Sequence, residues 1–187
     1  MSSASINTAR VDNQDIVAIG EIGLDYSRLE DDQLEVINTQ RRLFKKQIEL
    51  ANAYDLPVVI HSRDATVDTL EILREMKPKG VWHSFTGTDT ELVEISDLGL
   101  YIGINGIVTF PSAKTLAATV SDMPLERLII ETDCPFLAPQ EYRGQRCEPW
   151  MVHSVARFIA DMHSVSVDEI DEITTYNAEQ LFGVELA

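Results

Sequence analysis

Four apolar, β-branched runs in this chain each end on a residue that can ligate a metal: Ile16–Glu21, Leu56–His61, Gly80–His83 and Arg127–Asp133. An apolar run of this kind reads as a strand buried on both faces, as in a parallel sheet covered by helices. Parallel strands gather their C-terminal ends at one rim, so Glu21, His61, His83 and Asp133 are expected to converge. Two imidazoles and two carboxylates suit a hard or borderline divalent cation. Taken singly, each residue is a weak signal. A histidine ending a buried strand is commonly a packed core residue, and a strand-end carboxylate commonly caps the next helix. The force of the pattern lies in its repetition.

Helical periodicity fills the intervals. A helix is expected from Asp32 to Tyr54, with Ile37, Phe44, Ile48 and Ala51 on one face and Arg41, Lys45 and Glu49 on another. Asp64 is placed to cap a second helix striped with Val67, Leu70, Leu73 and Met76. Thr88 and Glu91 have capping-box spacing for a third, which carries Leu92, Val93 and Ile95 and closes at Gly99. A fourth strand, Leu100 to Val108, ends without an obvious ligand, and a short helix follows from Ser112 to Val120. Two further helices finish the chain, one from Trp150 to Met162 and one opened by a Ser166/Glu169 capping box and ending near Gly183. His153 and His163 fall on or near a helix and are expected to be surface or packing residues.

Five strands, each followed by helix, define an α/β protein. They fit an open doubly wound sheet or part of a (β/α)8 TIM-type barrel. A closed barrel typically takes ~250 residues, more than this chain has, yet ligands at strand ends favour a barrel rim.

The net charge of −16 narrows the partners. Such a surface repels polyanions, so broad nucleic-acid binding through a basic groove is disfavoured. A phosphate-bearing substrate would need bound cations and a few local arginines. Two cysteines, Cys134 and Cys147, have neither zinc-type pairing nor a disulfide framework, which suits free thiols in a reducing cytoplasm. The N-terminus lacks a secretory apolar core, and the longest uncharged stretch, Leu98–Ser112, is shorter than the ~20 residues a membrane helix needs. Residues 1–15 are polar and expected to be disordered, and residues 16–187 are expected to form one domain.

Longer motifs then become recognisable. Gly20-Glu-Ile-Gly-Leu-Asp-Tyr26, Pro57-Val-Val-Ile-His-Ser-Arg-Asp64, His83-Ser-Phe-Thr-Gly87 and Ile130-Glu-Thr-Asp-Cys-Pro-Phe-Leu-Ala-Pro139 resemble the signatures of TatD-family metal-dependent deoxyribonucleases. Arg143-Gly and Glu148-Pro149 follow in the family's order, and the resemblance runs from about Ile16 to Phe182. It implies a (β/α)8 barrel of the metal-dependent hydrolase superfamily, with two divalent cations (Mg, Mn or Zn) at the C-terminal rim promoting hydrolysis of DNA phosphodiesters, often 3′ to 5′. It also implies that Glu21 is a bridging carboxylate and that His61 and His83 hold one metal. Asp133 then binds the other metal and orients or deprotonates the attacking water. Arg63 and Arg143 become candidate phosphate contacts, with Arg63 equally open to pairing with Asp25 or Asp64.

The chain departs from the family at one point. TatD proteins begin with a strand bearing His-x-His, and the four histidines here contain no such pair. The first strand resembles the family's fourth, so the barrel is expected to be incomplete, with about five βα units and one metal rather than two. Unpaired parallel edges would invite a homodimer or a complementing fragment. Three readings remain open: an active metallonuclease acting on DNA or short nucleotides; a catalytically impaired one-metal binding or interaction protein; and an ester or amide hydrolase of the same architecture.

Overall fold

The computed structural model describes residues 16–29 and 33–185. Within them five parallel strands form one sheet in sequential order: β1 (Ile19–Asp25), β2 (Val58–Arg63), β3 (Gly80–Trp82), β4 (Tyr101–Ile104) and β5 (Leu128–Ile130). Six helices alternate with them or follow: α1 (Leu34–Ala53), α2 (Thr66–Met76), α3 (Asp89–Asp97), α4 (Lys114–Ser121), α5 (Val152–His163) and α6 (Val167–Phe182). The α/β class and the parallel sheet are as expected. Residues 1–15, expected to be disordered, lie outside the described residues.

Side-chain alternation along each strand sorts the sheet into two faces. Val58, Ile60, Trp82, Ile102, Ile104 and Leu128 join the main core, where Phe44 and Ile48 of α1, Leu73 of α2, Ile95 of α3 and Val155 and Ile159 of α5 pack. Phe44 is fully buried, so truncating it to alanine removes a packing contribution of about 3–5 kcal/mol. The opposite face carries Val59, Val81, Tyr101 and Ile129, against which Leu181 and Phe182 at the end of α6 pack. His61, His83 and Glu131 continue this second parity toward the C-terminal ends of their strands.

Several element boundaries differ from expectation. Strand β1 runs on to Asp25, with a register shift between Ile19 and Ile22, so Glu21 lies within the strand rather than at its end. Strand β2 likewise passes His61 and ends at Arg63, whereas β5 stops at Ile130, three positions before Asp133. Only His83 directly follows its strand. The close approach of β1 to β2 explains why Gly23 is a glycine: at φ +150°, a Cβ would lie 1.9 Å from the His61 carbonyl oxygen.

Helix starts were partly misassigned. Asp64 sits at φ 53°, and α2 is preceded by Ala65 with no side-chain cap. On α2, Val67 faces solvent while Thr69 and Ile72 are buried; on α3, Val93 is exposed. The Thr88/Glu91 capping box is formed, with the Thr88 N–H donating to Glu91 at 2.7 Å, whereas Ser166 makes one half of its box, its hydroxyl accepting from the Glu169 N–H at 3.1 Å. Gly99 and Gly183 close α3 and α6 at positive φ.

Candidate metal centre

The four candidate ligands do meet. Glu21, His61, His83 and Asp133 line one cavity of about 360 Å³, together with Arg63 and Leu137. Glu21 and His61 also face a second cavity of about 380 Å³ on the β1 side of the sheet. Glu21 Oε1 lies 2.7 Å from His61 Nδ1 and 3.8 Å from His83 Nε2. Asp133 Oδ1 lies 3.4 Å from His83 Nε2, and Asp25 Oδ2 lies 3.4 Å from His61 Nε2.

These side chains are held from behind. Gln40 of α1 grips the backbone of Asp25 at both ends, accepting its N–H and donating to its carbonyl, each at 2.9 Å. The Asp25 carboxylate accepts the Ser27 N–H and hydroxyl at 2.9 and 2.6 Å. Burial raises the pKa of this carboxyl, but the two Ser27 hydrogen bonds and His61 outweigh it and leave the group below its ordinary value.

Glu131 was not singled out from the sequence. It is the partner of His83: its Oε2 lies 2.8 Å from His83 Nδ1, and its Oε1 accepts the Ser84 N–H at 2.6 Å. A carboxylate on the far ring nitrogen fixes the tautomer and orientation of an imidazole whose other nitrogen faces a cation. The fourth strand, which ends without a ligand, makes room for this contact. A Cβ at Gly103 would stand 2.8 Å from the Glu131 carboxylate, so only glycine fits there unless Glu131 moves. Beyond it, Asn105 donates to the Ser84 hydroxyl at 2.8 Å. The usable sequence signal was parity: Glu131 is two residues beyond Ile129 on the same face.

Burial opposes charge on His83, but the hydrogen bond and charge of Glu131, with Glu21 and Asp133 behind it, raise its pKa from 6.5 to about 9. The pocket thus stabilises positive charge at His83 Nε2 when a proton supplies it. Whether a divalent ion suits the same place is a question of donors and spacing. Two imidazoles and two carboxylates are donors that Mg, Mn or Zn accept. Ligands at about 2.1 Å from an ion stand about 3 Å or slightly more apart, comparable to the 3.4 and 3.8 Å around His83 Nε2. The donor set therefore fits a divalent cation in chemistry. It is arranged as hydrogen-bonded pairs, and among the described residues no group of three or more such side chains is already closed as a ligand cage.

The two arginines separate. Arg63 lines the cavity with the four ionisable residues, and among the described residues it makes no ion pair with Asp25, Asp64 or any other carboxylate. Arg143 does not line that cavity; its guanidinium lies over the Phe110 ring, 4.2 Å from the centroid. His163 bonds the Val120 carbonyl at 2.8 Å and His153 is exposed, in line with packing and surface roles. Cys134 and Cys147 are both free thiols.

A parallel α/β sheet with imidazoles and carboxylates gathered at its C-terminal side is the architecture of metal-dependent hydrolases. The chain belongs to the TatD family: the model for TatD related DNase matches residues 2–183. It is 41% identical over 175 residues to the metal-dependent hydrolase YabD of Bacillus subtilis, covering 92% of this chain and 67% of that protein. To the metal-dependent hydrolase YcfH of Escherichia coli K12 it is 40% identical over 173 residues, covering 91% and 64%. It is 34% identical over 188 residues to the 3′-5′ ssDNA/RNA exonuclease TatD of Pantoea ananatis, covering 95% and 71%. Among solved structures, YJJV, a TatD homologue of Escherichia coli K12, superposes with a TM-score of 0.86 at 30% identity, covering 95% of this chain and 69% of that one. The chain thus spans about two thirds of the length of the curated relatives it matches.

Proposed function

We propose that this chain carries a divalent-metal-dependent phosphodiesterase site acting on DNA, releasing nucleotides from the 3′ end. The observation that carries this reading is the convergence of Glu21, His61, His83 and Asp133 on one cavity with Arg63, which makes no ion pair among the described residues. Glu21, His83 and Asp133 would hold a divalent cation, with His61, beside Glu21, as a further donor. A divalent cation held there supplies Lewis-acid charge for a phosphodiester oxygen and acidifies a water nucleophile. Asp133 would orient a water at that site and accept its proton. Glu131 keeps His83 turned so that Nε2 faces the cavity, and Arg63 binds a non-bridging phosphate oxygen. Arg143, held over Phe110, contacts the strand away from the scissile phosphate.

A single cation per chain is the second part of the reading. Its support is that the sequence holds four histidines, of which two reach the cavity and two lie elsewhere. With one ion, the chain either hydrolyses DNA slowly or binds it without turnover.

The test is metal-dependent release of nucleotides from a 3′-labelled single-stranded oligonucleotide, run beside an ester and amide panel, with bound metal counted per chain. Release in Mg²⁺ or Mn²⁺ that is abolished by Glu21→Ala and His61→Ala supports the nuclease. One bound metal with no release supports the binding protein, and ester turnover with DNA untouched supports the alternative hydrolase.

A further inference from the structure

A chain with net charge −16 cannot hold a nucleic-acid strand by its general field, and the cavity offers one lining arginine, Arg63. Phosphate contacts are the usual source of affinity. Here they are few, so another part of the nucleotide must be gripped, and the base is the part left.

The loop after β5 presents a side chain suited to that. Phe136 is 69% exposed, the largest exposure of any aromatic residue among the described residues. It sits between Asp133 and Leu137, both of which line the metal-centre cavity. Its position is fixed rather than loose. The Phe136 N–H donates to the Asp133 carbonyl at 2.8 Å, closing a turn around Pro135, and the Cys147 N–H donates to the Pro135 carbonyl at 3.1 Å. Leu137, at φ 53°, lies with its carbonyl where Gly106 has no Cβ to oppose it. Beneath the loop Ala138, Cys147 and Met151 form a small buried cluster. A pinned turn that carries an exposed phenyl ring between two cavity-lining residues is a platform for a flat apolar ligand.

We propose that Phe136 is the base-stacking platform of this site. The inference rests on the nuclease reading for the identity of the strand. A base stacked on an aromatic ring contributes through its π face whatever its sequence, so the contact is strong without being base-specific. In a duplex the faces of a base are taken by its neighbours, whereas a frayed or single-stranded end offers one freely. With the terminal base on Phe136, the adjoining phosphate is held next to Asp133, Glu21 and His83.

The experiment uses a nuclease-resistant phosphorothioate oligonucleotide carrying 2-aminopurine at its 3′ end, titrated with the full chain in Mn²⁺ and followed by fluorescence. Wild type should quench the emission as stacking forms. Phe136→Ala should bind about tenfold more weakly and lose the quench, and Phe136→Trp should restore both. The preference for a based over an abasic 3′ end should fall by the same factor in Phe136→Ala. Because Phe136 is exposed, the alanine variant should keep the wild-type melting curve. Equal affinity and equal quench for wild type and Phe136→Ala overturns the proposal. Cleavage of unmodified DNA with binding indifferent to Phe136 defeats the platform and keeps the nuclease. A Phe136-dependent quench with no cleavage in any metal keeps the platform and defeats the nuclease, while no binding by wild type counts against both.

Discussion

Glu131 shows how a residue outside the candidate donor set can hold one of its members in place. Its carboxylate holds His83 Nδ1 at 2.8 Å and the Ser84 N–H at 2.6 Å. Replacing Glu131 with glutamine leaves a similar shape but removes the negative charge and offers a weaker acceptor. We expect Glu131→Gln to lower metal affinity or turnover about 10–100-fold, read by calorimetric metal titration beside nucleotide release, with little change in melting temperature. An unchanged affinity would remove Glu131 from the site. Gly103→Ala reaches the same contact from β4: the added methyl meets the Glu131 carboxylate at 2.8 Å, so it should reproduce the metal defect and also cost about 1–3 kcal/mol through overpacking. At this scale the sequence was legible where a residue ends an apolar run, and Glu21, His61, His83 and Asp133 were found that way. It was not legible for Glu131, whose role depends on His83, 48 positions away and reached only through sheet pairing. Nor did it reveal that Arg143 would lie over Phe110, since cation–π partners carry no spacing rule.

At the scale of elements, β1, α1 and α2 are tied by one polar cluster. Arg41 of α1 reaches Asp68 and Glu71 of α2, each at 2.8 Å, and the Tyr26 hydroxyl just after β1 donates to Asp68 at 2.8 Å. The periodicity had put Arg41 and Lys45 on a separate face of α1, and the structure uses that face to bind α2, with Lys45 paired to Glu75. Burial works against the Asp68 charge, but Tyr26 and Arg41 outweigh it and hold the carboxyl below its ordinary 3.8. A depressed carboxyl stabilises the fold at pH values above its unfolded pKa, and that contribution is lost as pH falls through the folded value. For Tyr26, burial and then Asp68 raise the phenol from 10 to about 12. A raised pKa stabilises fully below pH 10, and that contribution is lost as pH climbs toward 12. We therefore expect the melting temperature to fall at both limits, and Asp68→Asn to flatten the acid limb and make the alkaline one shallower. Thermal melts across pH, compared between wild type and variant, read this directly. Element identity was legible because periods of two and of 3.6 differ sharply along this chain. Boundaries were less so, since hydrogen bonding to a neighbour decides where a strand stops. Strand β2 continues past His61 because β1 pairs with it as far as Asp25↔Arg63, and β5 stops early where its ladder with β4 ends at Ile104↔Ile130.

The molecule as a whole combines two properties that pull against each other in what they do to association. Among the described residues β1 and β5 are the outer strands of the sheet, each with one unpaired edge, and the exposed Val17 and Leu43 lie near β1. An open parallel edge beside apolar side chains favours pairing with a second copy. We expect this 187-residue chain to self-associate at micromolar concentration, measured by light scattering, and a monomer there would remove the edge as a partner site. The charge of −16 acts the other way, both between copies and between protein and DNA. For a basic nuclease, added salt weakens DNA binding by competing with phosphate contacts. Here the long-range term is repulsive, and on the proposed reading Arg63, Arg143 and a bound cation are attractive at short range. Screening acts first on exposed charges more than a Debye length apart, about 8–10 Å near physiological ionic strength, and spares contacts inside the cavity. Raising salt from low to physiological strength should therefore leave oligonucleotide affinity flat or improve it, while self-association strengthens as copies repel less. The salt slope of binding to the phosphorothioate oligonucleotide measures the first, and light scattering at the same concentrations measures the second. A steep fall in affinity would mean that the strand is held by many cations spread over the surface, and the site would have to be redrawn around them.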